Sequence, residues 1–193
     1  PLNLAGYHFT EGVRFFFEPQ VLNAGERLVI VKDRGDFRAF YGRDVALADG
    51  DDGDGGKSGE YGGSLSNDGE TVELRDARNN IVQQFTYYAA GEWPRRADGQ
   101  GSSLEVVTHS GDPNDPKSWR ASSEFGGSPG WAGHGMLEDV VINEILTHTD
   151  LPDVDAVELL NRTDRDIDMT GWYLSDSAAS LFRFQINGPG SLI

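Results

Sequence analysis

The chain has 193 residues, 32 of them acidic and 16 basic, for a formal net charge of −16. That balance argues against non-specific nucleic-acid binding, which needs a positive surface to displace counterions, and fits a self-repelling surface or one that collects cations. With no cysteine, disulfides, thiolate zinc sites and cysteine nucleophiles are excluded, and no apolar run approaches the ~20 residues a membrane helix needs.

Leu4 to Phe9 and Val13 to Phe17 read as a strand pair around Thr10-Glu11-Gly12. Pro19 then blocks continuation of the ladder. Arg27 to Val31 is a strongly apolar segment, expected to be a central strand, and Phe37 to Tyr41 reads as either a strand or one helical turn. Ala48 to Gly63 is rich in Gly and Asp without apolar period and reads as a loop. Thr71 to Arg75 alternates and should be half buried. Ile81 to Tyr88 returns after an Asn79-Asn80 turn, with Ile81, Phe85 and Tyr87 on one face, so the two make a hairpin. Ser103 to Val107 is one more strand, Trp119 is expected to anchor an irregular segment by packing, and residues 131–139 read as a linker. Val140 to Leu146 and Ala156 to Leu160 are further short apolar strands. No segment of ~10 residues shows helical periodicity, so the class is all-β, with strand spacing that suggests a sandwich or barrel.

One stretch occurs twice. Leu4-Ala5-Gly6-Tyr7-His8-Phe9-Thr10-Glu11 matches Met169-Thr170-Gly171-Trp172-Tyr173-Leu174-Ser175-Asp176, and an aromatic strand follows each, Val13 to Phe17 and Leu181 to Phe184. The chain thus begins partway through a structural unit and begins the unit again near its end. It also opens on Pro1 rather than Met and has no signal peptide, as expected of a piece of a larger protein.

Ile142-Asn143-Glu144-Ile145, Val157-Glu158-Leu159-Leu160-Asn161 and Gly171-Trp172-Tyr173-Leu174 resemble the successive strands of the lamin tail domain. Leu65 to Glu70, Trp93-Pro94, Asp98-Gly99-Gln100-Gly101-Ser102-Ser103-Leu104-Glu105, Trp119 and Gly126 to Gly130 resemble its remainder. The resemblance covers nearly the whole chain as two partial copies, residues 1–130 and 140–193. It implies an immunoglobulin-like β-sandwich and a non-catalytic interaction, adhesion or scaffolding module. No heptad coiled coil precedes the first copy, as it would in a nuclear lamin, so the likeness is to the bacterial secreted or cell-surface kind. The first copy lacks its opening strands. Residues 140–146 and 156–160 are therefore expected to complete it in permuted order, with Ile142 and Val157 against Val29, Leu74 and Phe85, or to do so in another molecule as a strand-swapped dimer.

Asn143, Glu158 and Asn161 are polar groups in or beside apolar strands, expected to bond exposed backbone at strand ends. Glu144, Ser103, Glu105, Asp98 and Trp172 share the motif positions, and Gly99, Gly101 and Gly171 suit tight turns with positive φ. The acidic loop Asp49, Asp51, Asp52 and Asp54 offers oxygen ligands for calcium, although Gly sits one place early for an EF-hand and no Glu follows at position twelve. The alternative is a solvated loop whose charge blocks edge aggregation. Asp150, Asp153 and Asp155 form a second acidic cluster, expected to be a solvated turn. His8, His109, His134 and His148 lack zinc-site spacing. No pair of carboxylates stands out, and Gly101-Ser102-Ser103-Leu104 is not a nucleophile elbow, so the expectation is no enzyme and no required cofactor. Trp93, Trp131, Trp172, Tyr87 and Tyr88 could stack on sugars. Trp131 has the weakest packing case and is the candidate ligand-binding aromatic. The chain therefore reads as an interaction module binding a protein or other polymer outside the cell, with a carbohydrate- or calcium-binding accessory module of a secreted hydrolase as the alternative.

Overall fold

A computed structural model describes residues 1–56, 58–135, 138–148, 154–177, 180–187 and 192–193. The fold is all-β, with one α-helix among the described residues. The chain divides into two compact units, residues 1–135 and 136–193.

The first unit is built on the sheet order β5-β3-β2-β7-β8. β1 (Leu2–Asn3) leads into β2 (His8–Glu11) and β3 (Val13–Phe17), joined through Gly12 at φ 80°. β4 (Val21–Leu22) returns to pair with β1. The heart of the sheet is β3, where Val13 and Phe15 are buried while Arg14 and Phe16 face out, the alternation a pleated strand imposes. Phe15 is fully enclosed, edge-on to Phe17 with ring centroids 5.0 Å apart.

The Arg27–Val31 segment is buried at Val31 but is not a central strand. It makes only parallel bridges, Val29 to Leu47 and Val31 to Glu60. Its Val31 packs with Val45 and Leu47, and Val29, Phe37 and Tyr41 cover that cluster. The strand pattern ends at Val31 because a helix begins almost at once. Asp33 caps α1 (Arg34–Tyr41), its carboxylate accepting from the Asp36 N–H at 2.8 Å, and Gly42 closes it at φ 79°. Phe37 to Tyr41 is therefore helical. The Gly/Asp-rich stretch also carries two short strands, β5 (Gly50–Asp51) and β6 (Gly62–Gly63), both paired with β3. Gly50 is needed there, since a Cβ would lie 2.3 Å from the Phe16 carbonyl oxygen and 2.6 Å from the Phe15 ring.

β7 (Gly69–Arg75) and β8 (Ile81–Tyr88) form the expected hairpin, in a register that sets Val72 opposite Phe85. Within β7 the most buried residue is Glu73 rather than an apolar one. Glu73 accepts from Thr10 Oγ1 at 3.2 Å, Arg75 Nε at 2.5 Å and Gln84 Nε2 at 2.7 Å. Three donors satisfy a carboxylate that apolar surroundings would otherwise expel. β9 (Leu104–Val106) pairs with β10 (Trp119–Ala121). Trp119 thus opens a strand, and its ring packs 4.9 Å from Phe85 and 6.2 Å from Trp93 while its indole N–H donates to the Pro113 carbonyl at 2.8 Å.

In the second unit β11 (Val140–Leu146) pairs with β12 (Ala156–Asn161), and β13 (Tyr173–Leu174) with β14 (Phe184–Gln185). β11 and β12 bond to each other as a two-stranded sheet. Neighbouring strands close a ribbon at a lower loop entropy than strands distant in sequence. Ile142 and Val157 are 55% and 47% exposed.

Candidate functional site

The hairpin β7–β8 bends over an apolar cavity of about 650 Å³ in the first unit. Its wall comes from Phe9 and Val13 on β2–β3, Phe85, Tyr87 and Tyr88 on β8, and Trp119 on β10. Asp98 and Gly99 reach it from the loop before β9. This volume lies in the range of ligand pockets, which are mainly apolar with a few oriented polar groups. One such group is the Tyr87 hydroxyl, which donates to the Ser66 carbonyl at 2.7 Å and lies 3.2 Å from Glu70 Oε1. Desolvation, reinforced by the Glu70 carboxylate, pushes the Tyr87 hydroxyl up to about 12. The Tyr61 hydroxyl on the same wall is also raised, by desolvation.

That geometry has a pH consequence. A phenol whose folded pKa exceeds the unfolded value near 10 contributes stability that is complete below pH ~10 and is lost as pH rises toward 12. Urea unfolding at stepped pH should show this alkaline loss, and Tyr87→Phe should flatten it. An unchanged slope in Tyr87→Phe would refute the assignment.

A second groove of about 530 Å³ lies in the same unit, around Trp131. Trp131 is 66% exposed, with its N–H donating to the Ser128 carbonyl at 3.0 Å. Beside it Glu105 accepts from Ser128 Oγ at 2.8 Å and Arg120 Nε at 3.2 Å, and Arg120 Nη2 donates to the Gly133 carbonyl at 2.8 Å. Ser103 and His109 complete the polar wall. The groove therefore brings together three residues singled out in the sequence, Ser103, Glu105 and Trp131. The other aromatic candidates do different work. Trp93 is buried at 6% exposure, edge-on to Tyr88 at 6.4 Å. Trp172 is half-buried in the second unit.

The acidic loop is organised around its own backbone and an arginine. Asp52 accepts from the N–H groups of Asp54 at 3.0 Å and Gly56 at 2.9 Å, and Asp51 from Gly53 at 2.8 Å. Those N–H donors hold the Asp52 carboxyl below its usual range. The Arg14 guanidinium enters the loop, 2.6 Å from Asp54 and 3.9 Å from Asp52, and Asp49 lies 4.0 Å from Arg34. Among the described residues no group of three or more acidic or histidine side chains is placed to hold a metal ion. Of the four carboxylates expected to offer calcium ligands, Asp51 and Asp52 accept from turn N–H groups, Asp52 and Asp54 face Arg14, and Asp49 faces Arg34. Melting in millimolar calcium should match melting in chelator. A bound ion at one hundred times its dissociation constant would instead add about 2.7 kcal/mol.

In the second unit Asn161 behaves as expected of a strand-end polar group. Its Oδ1 accepts from the Thr163 N–H at 2.9 Å, and its Nδ2 donates to the carbonyls of Arg165 and Ile193. Asn143 donates to the Glu158 side chain. It occupies a register shift between Ile142 and Glu144, where a bulge turns it toward the partner strand. Glu144 lies directly opposite Glu158 and is exposed, a like-charge pairing of no structural benefit. Gly99, Gly101 and Gly171 all take positive φ, 68°, 87° and 84°. Of Asp150, Asp153 and Asp155, the first two lie outside the described residues. No helix among the described residues is long and apolar enough to cross a membrane.

The cavity was not legible in the sequence, because it is closed by residues from Phe9 to Trp119 that share no motif. The signal that could have suggested it is the density of aromatics between Phe85 and Trp93. No family model matches this chain, and the comparisons with curated proteins and with solved structures found no match.

Proposed function

We propose that this chain is a non-catalytic interaction module that takes an extended peptide at the free edge of β8. One observation carries the reading. β8 ends the main sheet, and its Phe85, Tyr87 and Tyr88 also wall the 650 Å³ cavity. An added strand gains main-chain hydrogen bonds at such an edge, and pockets for alternate side chains supply specificity. The edge is partly guarded at Thr86, whose N–H donates to Asn114 Oδ1 at 3.0 Å, so the ladder is open on either side of that point. The lamin-tail resemblance supports the same reading. It makes the chain an immunoglobulin-like sandwich in a tandem arrangement, serving adhesion or scaffolding in a larger extracellular bacterial protein.

The test is fluorescence anisotropy of the full chain against a library of extended peptides alternating apolar and polar residues. Binding should weaken at least tenfold in Tyr88→Asp, about 1.4 kcal/mol. Tyr88 is 55% exposed, so this substitution should leave the fold intact. No peptide bound above background, or turnover of glycoside, ester or peptide substrates by the purified chain, would overturn the proposal.

A second reading is favoured by the Trp131 groove, where an exposed indole stands beside the Glu105–Arg120 pair. An apolar ring face next to paired polar groups suits a sugar, and the module would then be a carbohydrate-binding accessory of a secreted hydrolase. Glycan-array binding abolished by Trp131→Ala would establish it, and an array without hits would dismiss it.

A further inference from the structure

The duplicated sequence folds twice into the same set of backbone bonds. Leu2 and Asn3 pair with Leu22 and Val21, while Ile167 bonds Ile193 at 2.9 and 3.1 Å and Asp168 bridges Leu192. Asn3 Oδ1 accepts from the Ala5 N–H at 3.0 Å, and Asp168 Oδ1 from the Thr170 N–H at 2.8 Å. Tyr7 N–H donates to the Leu4 carbonyl and Trp172 N–H to the Met169 carbonyl, both at 2.9 Å, around left-handed Gly6 and Gly171. The strand pairs then run in one register, His8 with Phe16 and Phe9 with Phe15 in one, Tyr173 with Gln185 and Leu174 with Phe184 in the other. Position by position, Ile193 corresponds to Leu22.

The correspondence identifies what sits on this motif. In the second unit the β11–β12 hairpin runs into it, and Asn161 at the end of β12 donates to the Ile193 carbonyl. Among the described residues of the first unit no strand pair holds that position. There β1 and β4 pair only with each other, and Leu2 and Val21 are 45% and 58% exposed. The hairpin in turn leaves Ile145, Val157 and Leu160 exposed where it is. A lone two-stranded ribbon is marginal in water, and unpaired edges with apolar side chains recruit strands.

We propose that the β11–β12 hairpin of a second copy of this chain docks on the residue 2–22 motif, exchanging the Ile193 carbonyl for that of Leu22. This goes beyond the peptide reading, which concerns the β8 edge, and gives the residue 2–22 motif a partner of its own. Leu22 offers its carbonyl at the position that Ile193 offers to Asn161, so the bond seen in one seat has an equivalent acceptor in the other, which is the condition for exchange between copies.

The experiment uses the full chain. Light scattering coupled to size exclusion should give at least twice the 21.1 kDa chain mass, falling to 21.1 kDa in the double variant Ile145→Asp, Val157→Asp. Because the chain has no cysteine, single Ala24→Cys and Thr147→Cys chains, substituted at exposed positions just beyond β4 and β11, can each take a different dye. Their mixture should show energy transfer that excess unlabelled parent chain competes away, and none when the chain labelled on the hairpin also carries Ile145→Asp and Val157→Asp. A monomer at every concentration, or an oligomer without transfer, overturns the proposal. Peptide binding read on the same samples separates the two ideas: a monomer that binds peptide loses this inference and keeps the module, and a chain with neither loses both.

Discussion

Phe15→Ala should cost about 3–5 kcal/mol of stability, the range for truncating a fully buried aromatic. Phe15 has 0% exposure, touches Phe17 edge-on and lies where β5 crosses β3 at Gly50. A domain's whole stability is of order 5–15 kcal/mol, so the variant should unfold at far lower urea with an unchanged slope. The duplicated motif supplies a control within the same chain. Phe184 holds the same register position as Phe15 but is 63% exposed, and Phe184→Ala should cost within about 0.5 kcal/mol. Equal losses at both positions would mean that the enclosure of Phe15 is not what stabilises β3.

Arg75→Ala should cost about 3–5 kcal/mol, because it leaves the Glu73 carboxylate buried without its cation. Glu73 is 2% exposed, and Arg75 is its charged partner at 2.5 Å. Thr10 and Gln84 remain as donors but bring no charge. Replacing both members, Glu73→Met with Arg75→Met, should lose less than Arg75→Ala alone, since no unpaired charge then stays inside. Urea unfolding of the single and double variants decides the matter. A double variant worse than the single would show that the pair itself contributes net stability.

Much of the all-β class was written locally. The β7–β8 hairpin follows from alternation on either side of an Asn79-Asn80 turn, and Asn79 does take a positive φ of 66°. The β2–β3 pair follows from Gly12, and the duplicated Gly-aromatic motif was visible as a string of residues. Trp131 stood out because nothing in its sequence neighbourhood could cover it, and it is indeed exposed. These features depend on residues a few positions apart, where propensity and turn chemistry act.

What depended on distant residues was decided only by tertiary structure. Arg27 to Val31 has the composition of a central strand, yet α1 takes up the chain directly after it and leaves it only bridges. The alternation of Thr71 to Arg75 shows a half-buried strand but not that Glu73 is its most buried residue, which follows from Thr10, Arg75 and Gln84 converging from three strands to satisfy the carboxylate. The Asp49 to Asp54 loop has the composition of a cation site, and Arg14, far away in sequence, enters it as the cation. Composition counts carboxylates but not what has already reached them, and an arginine on a neighbouring strand reaches them only once the sheet has formed.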